Sequence, residues 1–157
     1  MRGPVHLSKL TPLAFLERSA AVFPDRVAVI DGDRRVTNAQ LAWRVQRFAV
    51  GLQALGLVKD DRVGVLAPNV FELLEAHYAV PAAGCLLVAL NTRLARDEIA
   101  QILGHAGVRV LVVHPTLADR VPADLGEVRV ITCGAEYEAF ISAAPDPAPG
   151  AVTRCVR

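Results

Sequence analysis

Asp60-Asp61-Arg62-Val63-Gly64-Val65-Leu66-Ala67-Pro68-Asn69 opens the stretch that decides the fold, and Ala82-Ala83-Gly84-Cys85-Leu86-Leu87-Val88-Ala89-Leu90-Asn91-Thr92-Arg93-Leu94 closes it. Between them runs an apolar helical segment. The stretch reads as a β-α-β unit: a short apolar strand enters a Pro-Asn turn, a helix crosses over, and a wholly apolar strand follows. Runs of that kind suit parallel strands covered on both faces.

Toward the N-terminus, Thr11-Pro12 predicts a helix opening, with Thr11 as N-cap. Leu13, Leu16, Ala20 and Phe23 give its apolar spacing and Pro24 its stop. Val27–Ile30, the turn Asp31-Gly32-Asp33 and Arg34–Val36 predict a small antiparallel hairpin. Thr37-Asn38-Ala39-Gln40 has the pattern of a capping box. The helix it opens places Leu41, Val45, Phe48, Leu52 and Leu55 on one face, with Gly56 as its C′ residue. Trp43 and Val50 lie away from that stripe, which predicts a second apolar face. Within the central unit, Asn69 is the expected helix cap, with Glu72 at N3, and Val70, Leu73, Leu74, His77 and Val80 the expected buried side.

Toward the C-terminus the alternation continues. A helix is expected from about Leu94 to His105, a buried strand at Val108–Val113 and a weak helix at Thr116–Val121. A strand at Glu127–Cys133 and a short helix at Glu136–Ala143 follow. The expected fold is therefore α/β: a mainly parallel sheet with flanking helices, preceded by a small β-hairpin, with right-handed crossovers. It forms one domain over residues 11–143, followed by a Pro/Ala-rich tail over 144–157.

Composition narrows the function classes. At 157 residues, 53% hydrophobic and 21% charged, the chain can bury a core and is not intrinsically disordered. A net charge of +1 gives no electrostatic case for nucleic acid. No run reaches the ~18–20 apolar residues of a membrane span, and the N-terminus lacks the pattern of a signal peptide, so a cytoplasmic protein is expected. Cys85, Cys133 and Cys155 are isolated and odd in number, without metal or redox spacing.

Ligands of such sheets bind outside the carboxyl ends of the strands. Four exit loops result: Ala67-Pro68-Asn69, Asn91-Thr92-Arg93, His114-Pro115-Thr116 and Gly134-Ala135. None has a glycine-rich phosphate-binding pattern. Gly104-His105-Ala106-Gly107 precedes a strand and reads as a turn. No nucleophile-elbow motif occurs around Ser8, Ser19 or Ser142, and His6, His77, His105 and His114 lack metal-ligand spacing. Asp60-Asp61 and Asp31-Gly32-Asp33 read as solvated turn charges. Arg93 is the best polar candidate, expected to tie its loop to backbone carbonyls or a carboxylate. No catalytic, cofactor-binding or metal residue is assigned.

The order of short signatures resembles the N-terminal part of the adenylate-forming acyl-CoA ligases, the superfamily of fatty-acyl-CoA synthetases and luciferases. The pieces are Phe15-Leu16-Glu17-Arg18, Phe23-Pro24-Asp25, Arg35-Val36-Thr37 with Leu41, Gly51-Leu52, Leu55-Gly56 and Asp61-Arg62-Val63. The more specific ones follow: Pro68-Asn69 with Glu72, Ala83-Gly84, Asn91-Thr92-Arg93-Leu94, and Glu98-Ile99 with Ile102-Leu103. Together they cover roughly residues 11–113. Asn38 stands where the family usually has Tyr, and Asp60 where it usually has Gly.

The resemblance implies a parent reaction in two steps. A carboxylate attacks ATP to give an acyl-adenylate and pyrophosphate, and the thiol of coenzyme A then displaces AMP. It implies ATP, Mg2+ and coenzyme A as the family's cofactors, none of them expected on this chain. The family's phosphate loop, a Ser/Thr/Gly-rich segment ending in Pro-Lys-Gly, is not in this sequence. Neither is its aromatic-Thr-Glu motif or its C-terminal lysine. The expectation is thus a partial N-terminal domain of the ligase fold, inactive alone. The chain could arise as a truncated or frameshifted product near Thr153, a deliberately shortened chain, or half of a split ligase. Its expected partners are a chain carrying the remainder of the ligase, or further copies of itself meeting through uncovered apolar surface. A non-enzymatic α/β binding module is the remaining alternative.

Overall fold

The computed structural model describes residues 11–146. The expectations for the first residues, Cys155 and most of the Pro/Ala-rich tail lie outside that range. The elements run α1 (Pro12–Val22), β1 (Val27–Asp31), β2 (Arg34–Thr37), α2 (Asn38–Ala54), β3 (Arg62–Leu66), α3 (Phe71–Ala82), β4 (Leu86–Ala89), α4 (Arg96–Ala106), β5 (Val108–Val113), β6 (Arg129–Thr132) and α5 (Ala135–Ala143), with a 3-10 turn at Pro115–Arg120 between β5 and β6. β1 and β2 form the antiparallel hairpin; the other four strands make a parallel sheet ordered β4-β3-β5-β6.

Local chemistry explains the helix starts. Thr11 Oγ1 accepts from the Ala14 amide (3.2 Å) with Pro12 in the first turn. At α2 the capping box closes both ways: Thr37 Oγ1 accepts from Gln40 N (3.3 Å), and Gln40 Oε1 accepts from Thr37 N (2.9 Å). Gly56 ends that helix in the left-handed region at φ +81°. Asp60 adopts φ +69°, which explains why a glycine suits that position and why Asp, a tolerant residue there, replaces it. Asn38, where an aromatic is usual, uses Nδ2 to bind the Phe23 carbonyl (2.9 Å) and the Arg26 carbonyl (3.3 Å), tying α2 to the segment before the hairpin.

The sheet carries a core on each face. Val63, Val65, Val110, Val112 and Ile131 face α2, α3 and α5, while Leu66, Leu111 and Val113 face Ile99 and Leu103 of α4. The alternation along β3 and β5 is the period-two pattern of a strand covered on both sides. Two expectations fail here. β4 is an edge strand with its residues exposed or half-buried, Leu86 at 51%, because only β3 pairs with it. The fully buried residues of α3 are Phe71, Glu75, Ala76, Ala79, Val80 and Ala82; of the predicted set Val80 is buried, Val70 and Leu73 are half-buried against the same core, and Leu74 and His77 lie outside it. His77 is exposed, and its Nδ1 meets the Leu73 carbonyl one turn back (2.8 Å). Small residues at 76 and 79 fit the close packing of α2 against α3.

Of the expected turn Gly104-His105-Ala106-Gly107, the first three residues are the last turn of α4, and Gly107, at φ +60°, ends the helix. Leu55, expected on the buried stripe of α2, is 41% exposed beyond the helix end, and Phe23 is 49% exposed.

Candidate functional site

The parallel order places the exit loops of β4, β3, β5 and β6 along one edge of the sheet. Each is held mainly by its own backbone and neighbours. Asn91 Oδ1 accepts from the Arg93 amide (2.9 Å). The Arg93 side chain is exposed and no hydrogen bond or ion pair of it occurs among the described residues, so the expected tie is not made by Arg93. Arg120, from the turn after β5, makes it instead, donating to the Thr92 carbonyl, while Arg96 of α4 donates to the Asp119 carbonyl. His114 Nδ1 pairs with Thr116 Oγ1 (2.8 Å), and Glu136 accepts from the Thr132 amide (3.0 Å).

The β3 exit corrects a second expectation. α3 starts at Phe71 with Val70 in the cap position, and Asn69 does not cap it. The Phe71 amide donates to Asp31 Oδ2 (3.0 Å), so the carboxylate comes from the hairpin, 40 residues upstream. A carboxylate at a helix N-terminus satisfies an orphan amide and opposes the positive end of the dipole. Asp61 is also no solvated turn charge. Its Oδ2 accepts from Val58 N and from Arg109 Nη1, both at 2.8 Å. The Val58 backbone bond, with Arg109 behind it, holds this carboxyl below its ordinary value. Between the hairpin and α3 lies an apolar groove of about 330 Å³, lined by Val29, Ile30, Val70, Leu73 and Leu74. Its one carboxylate, Asp31, is the one that caps α3.

The structure's main polar constellation was not anticipated from the sequence. Glu75 of α3 is completely buried. Arg44 of α2 donates to both of its oxygens, Nη2 at 3.1 Å, and Tyr137 of α5 donates its hydroxyl to Oε2 at 3.0 Å. The other edge of the Arg44 guanidinium meets Glu138 of α5 at 2.7 and 2.8 Å. Arg34 of the hairpin reaches Glu138 at 3.3 Å and Glu72 at 3.7 Å, and its guanidinium lies 4.1 Å from the centre of the Phe71 ring. Hairpin, α2, α3 and α5 thus meet around one arginine.

The electrostatics of this cluster follow from burial and pairing. Burial opposes the Arg44 charge, but hydrogen bonds to Glu138 and Glu75 outweigh it, so Arg44 holds its proton more tightly than a free arginine. Glu75 is raised above the usual carboxylate range by burial, with Arg44 and Tyr137 working against the rise. Glu138 is lowered by its bonds to Arg44. Burial, with Glu75 beside it, pushes the Tyr137 phenol well above its ordinary value. Cys133 is pushed up to about 12, by burial first and then by Glu72. Its thiol is therefore a poor nucleophile at neutral pH.

Both edges of Arg44 are occupied, and Glu75 accepts from Arg44 and Tyr137; the half-exposed Glu138 is held by Arg44 and Arg34. Chemically it is a fastener. The sequence held one signal for it: Glu75 falls four residues after Phe71 and four before Ala79, a carboxylate on an otherwise apolar helical stripe. Arg44 and Arg47 flank the α2 stripe in the same way. A buried acid on one helix and arginines beside the facing stripe of another are candidates for pairing.

Fold and site together define a class: a parallel α/β layer in which the buried charges serve packing and the strand exits carry no phosphate-binding loop. The AMP-binding enzyme family model matches residues 16–151, and the chain belongs to that family. It is 44% identical over 102 residues to the peroxisomal benzoate–CoA ligase of Arabidopsis thaliana, covering 65% of this chain and 18% of that protein. It is 42% identical over 121 residues to a long-chain-fatty-acid–CoA ligase of Thermus thermophilus, covering 74% of this chain and 22% of the relative. Among solved structures, a benzoate CoA ligase from Burkholderia xenovorans superposes with a TM-score of 0.81 at 25% identity, over 87% of this chain and 29% of that one. A fatty acyl CoA synthetase from Mycobacterium tuberculosis gives 0.75 at 31%, over 87% and 29%. The chain spans about a fifth of the length of these curated relatives. Its α/β fold with a four-stranded parallel sheet and a hairpin is that of the adenylate-forming ligases.

Proposed function

We propose that this chain is the N-terminal part of an acyl-CoA ligase and is inactive alone. The parent reaction is ATP-dependent activation of a carboxylic acid to an acyl-adenylate, followed by transfer to coenzyme A. The observation that carries the reading is the family match over residues 16–151 combined with strand-exit loops that lack phosphate-binding chemistry. Cationic groups and metal ions must meet the phosphates in such a reaction. Here the half-buried Arg44 at the centre of the helical layer is already paired with Glu75 and Glu138. Cytoplasmic residence and a role in fatty-acid metabolism belong to the same proposal.

A second form of the reading is a split ligase in which a separate chain supplies the remainder. Exposed Trp43 (48%) and Leu86 (51%), together with the open outer edge of β4, favour a covering polypeptide. Without one, the same surface favours self-association. Calorimetric titration of the purified chain with Mg·ATP and with an acyl-CoA separates these forms from a binding module. No saturable heat is expected from either ligand, whereas stoichiometric binding would support the module. Size-exclusion chromatography should show species larger than a monomer; a monomer with a sharp cooperative melt would count against the need for a cover.

A further inference from the structure

α5 ends without a glycine. Its C-cap, Ala144, sits at φ −59° and ψ 144°, and its amide donates to the Ile141 carbonyl. The last carbonyls of a helix need partners, often supplied by a left-handed residue just beyond the end. Here they go to a side chain from another helix. Arg47 of α2, only 8% exposed, donates through Nε to the Ile141 carbonyl (2.9 Å) and through Nη2 to the carbonyls of Ser142 (2.6 Å) and Ala144. Its Nη1 reaches Asp146 Oδ1 at 2.6 Å, although the Asp146 side chain is otherwise 95% exposed. The cation also faces the negative end of the α5 dipole. On its other side it lies 5.1 Å from the ring centre of Trp43, the chain's single tryptophan.

We propose that Arg47 is a positioning residue that clasps the end of α5 and fixes the direction in which the chain leaves this layer toward whatever follows Asp146. The inference rests on reading the chain as part of a larger ligase. A planar fork with donors spread around it defines an orientation as well as a distance, which an ammonium cannot do. Four acceptors within six residues leave the outgoing backbone one way to satisfy that fork. Helix ends held only by their own backbone open first, so the clasp converts a fraying terminus into a fixed departure point.

The test uses the 157-residue chain with two substitutions, Arg47→Lys and Asp146→Ala, read by amide hydrogen exchange and Trp43 fluorescence. Arg47→Lys is expected to speed exchange in the last turn of α5 by about tenfold or more while β3 and β5 keep their protection. Asp146→Ala, at an exposed residue, is expected to shift Trp43 emission, because the guanidinium above the ring loses its counter-ion and reorients. If Lys preserves α5 protection, or if α5 and the sheet accelerate equally, the clasp is wrong. Unchanged Trp43 emission in Asp146→Ala also overturns it, and that variant decides alone should Arg47→Lys unfold the chain. Both readouts are taken without nucleotide or acyl substrate, so they fail or succeed separately from the ligase reading.

Discussion

On one face of the sheet Leu66, Leu111 and Val113 pack against Ile99 and Leu103 of α4, with no buried charge in that cluster. On the other face Val63, Val65, Val110 and Val112 lie beneath α2, α3 and α5, where Glu75 and Arg47, the two buried charged residues among those described, sit with Arg44. The difference reflects what each face must hold. α4 follows β4 and leads straight into β5, so a single crossover helix is located by its connections and its apolar stripe. α2, α3 and α5 come from separate parts of the chain, with the hairpin as a fourth element. Apolar contact alone is non-directional. The fork of Arg44 and the carboxylate pair around it specify angles between helices, and Phe140 seats against Gly51, where an added Cβ would lie 2.8 Å from the ring.

Removing Glu75 should break the charged face most severely. Glu75→Ala leaves Arg44 with one carboxylate and strands the Tyr137 hydroxyl, and should cost about 3–5 kcal/mol in urea denaturation. The double variant Arg44→Met/Glu75→Leu should recover most of that loss, because well-packed apolar residues can replace a buried pair. On the dry face, Leu111→Ala should cost about 2–5 kcal/mol through lost burial and a cavity, with no dependence on pH over the carboxylate range. Asp31→Ala removes the cap that joins the hairpin to α3 and should cost about 1 kcal/mol, seen as faster amide exchange at Phe71.

Glu138→Gln should have the smallest effect, at most about 1 kcal/mol at neutral pH, since this side chain is 42% exposed. Its folded pKa is lowered, so its contribution is present above the unfolded value, near about 4.3, and is lost as pH falls through the folded value. The gap between wild type and Glu138→Gln should therefore close in acid. Glu75 runs the other way: its folded pKa is raised, so the stabilisation linked to its protonation is present at low pH and lost as pH rises through the folded value. Stability curves of the two variants that ran parallel with pH would remove the distinction drawn between the inner and outer carboxylates.

Much of this architecture was legible in the sequence. The capping box at Thr37 and Gln40, the hairpin turn at Gly32 and the strand at Val108–Val113 are local signals, and local signals survive tertiary packing. What failed was long-range. Spacing on α3 pointed to Leu74 and His77 as well as to Leu73 and Val80, but the close approach of α2 selects Ala76 and Ala79. β4 read as doubly buried because composition does not reveal which strand takes the sheet edge. Asp31 and Asp61 looked like turn charges because their partners lie 40 and 48 residues away in sequence. At the candidate site the sequence reading assigned no residue and did not foresee the Arg44, Glu75, Tyr137 and Glu138 cluster, whose members come from three helices.

This layer has the fold of the AMP-binding ligases, and we propose that it is inactive alone. ATP–pyrophosphate exchange on the purified 157-residue chain, with Mg2+ and a panel of short-chain, long-chain and aromatic carboxylic acids, tests it most directly. No exchange above the protein-free blank is expected with any acid. Acid-dependent incorporation of labelled pyrophosphate into ATP, abolished in Glu75→Ala or Arg44→Met only to the extent that folding is lost, would contradict it.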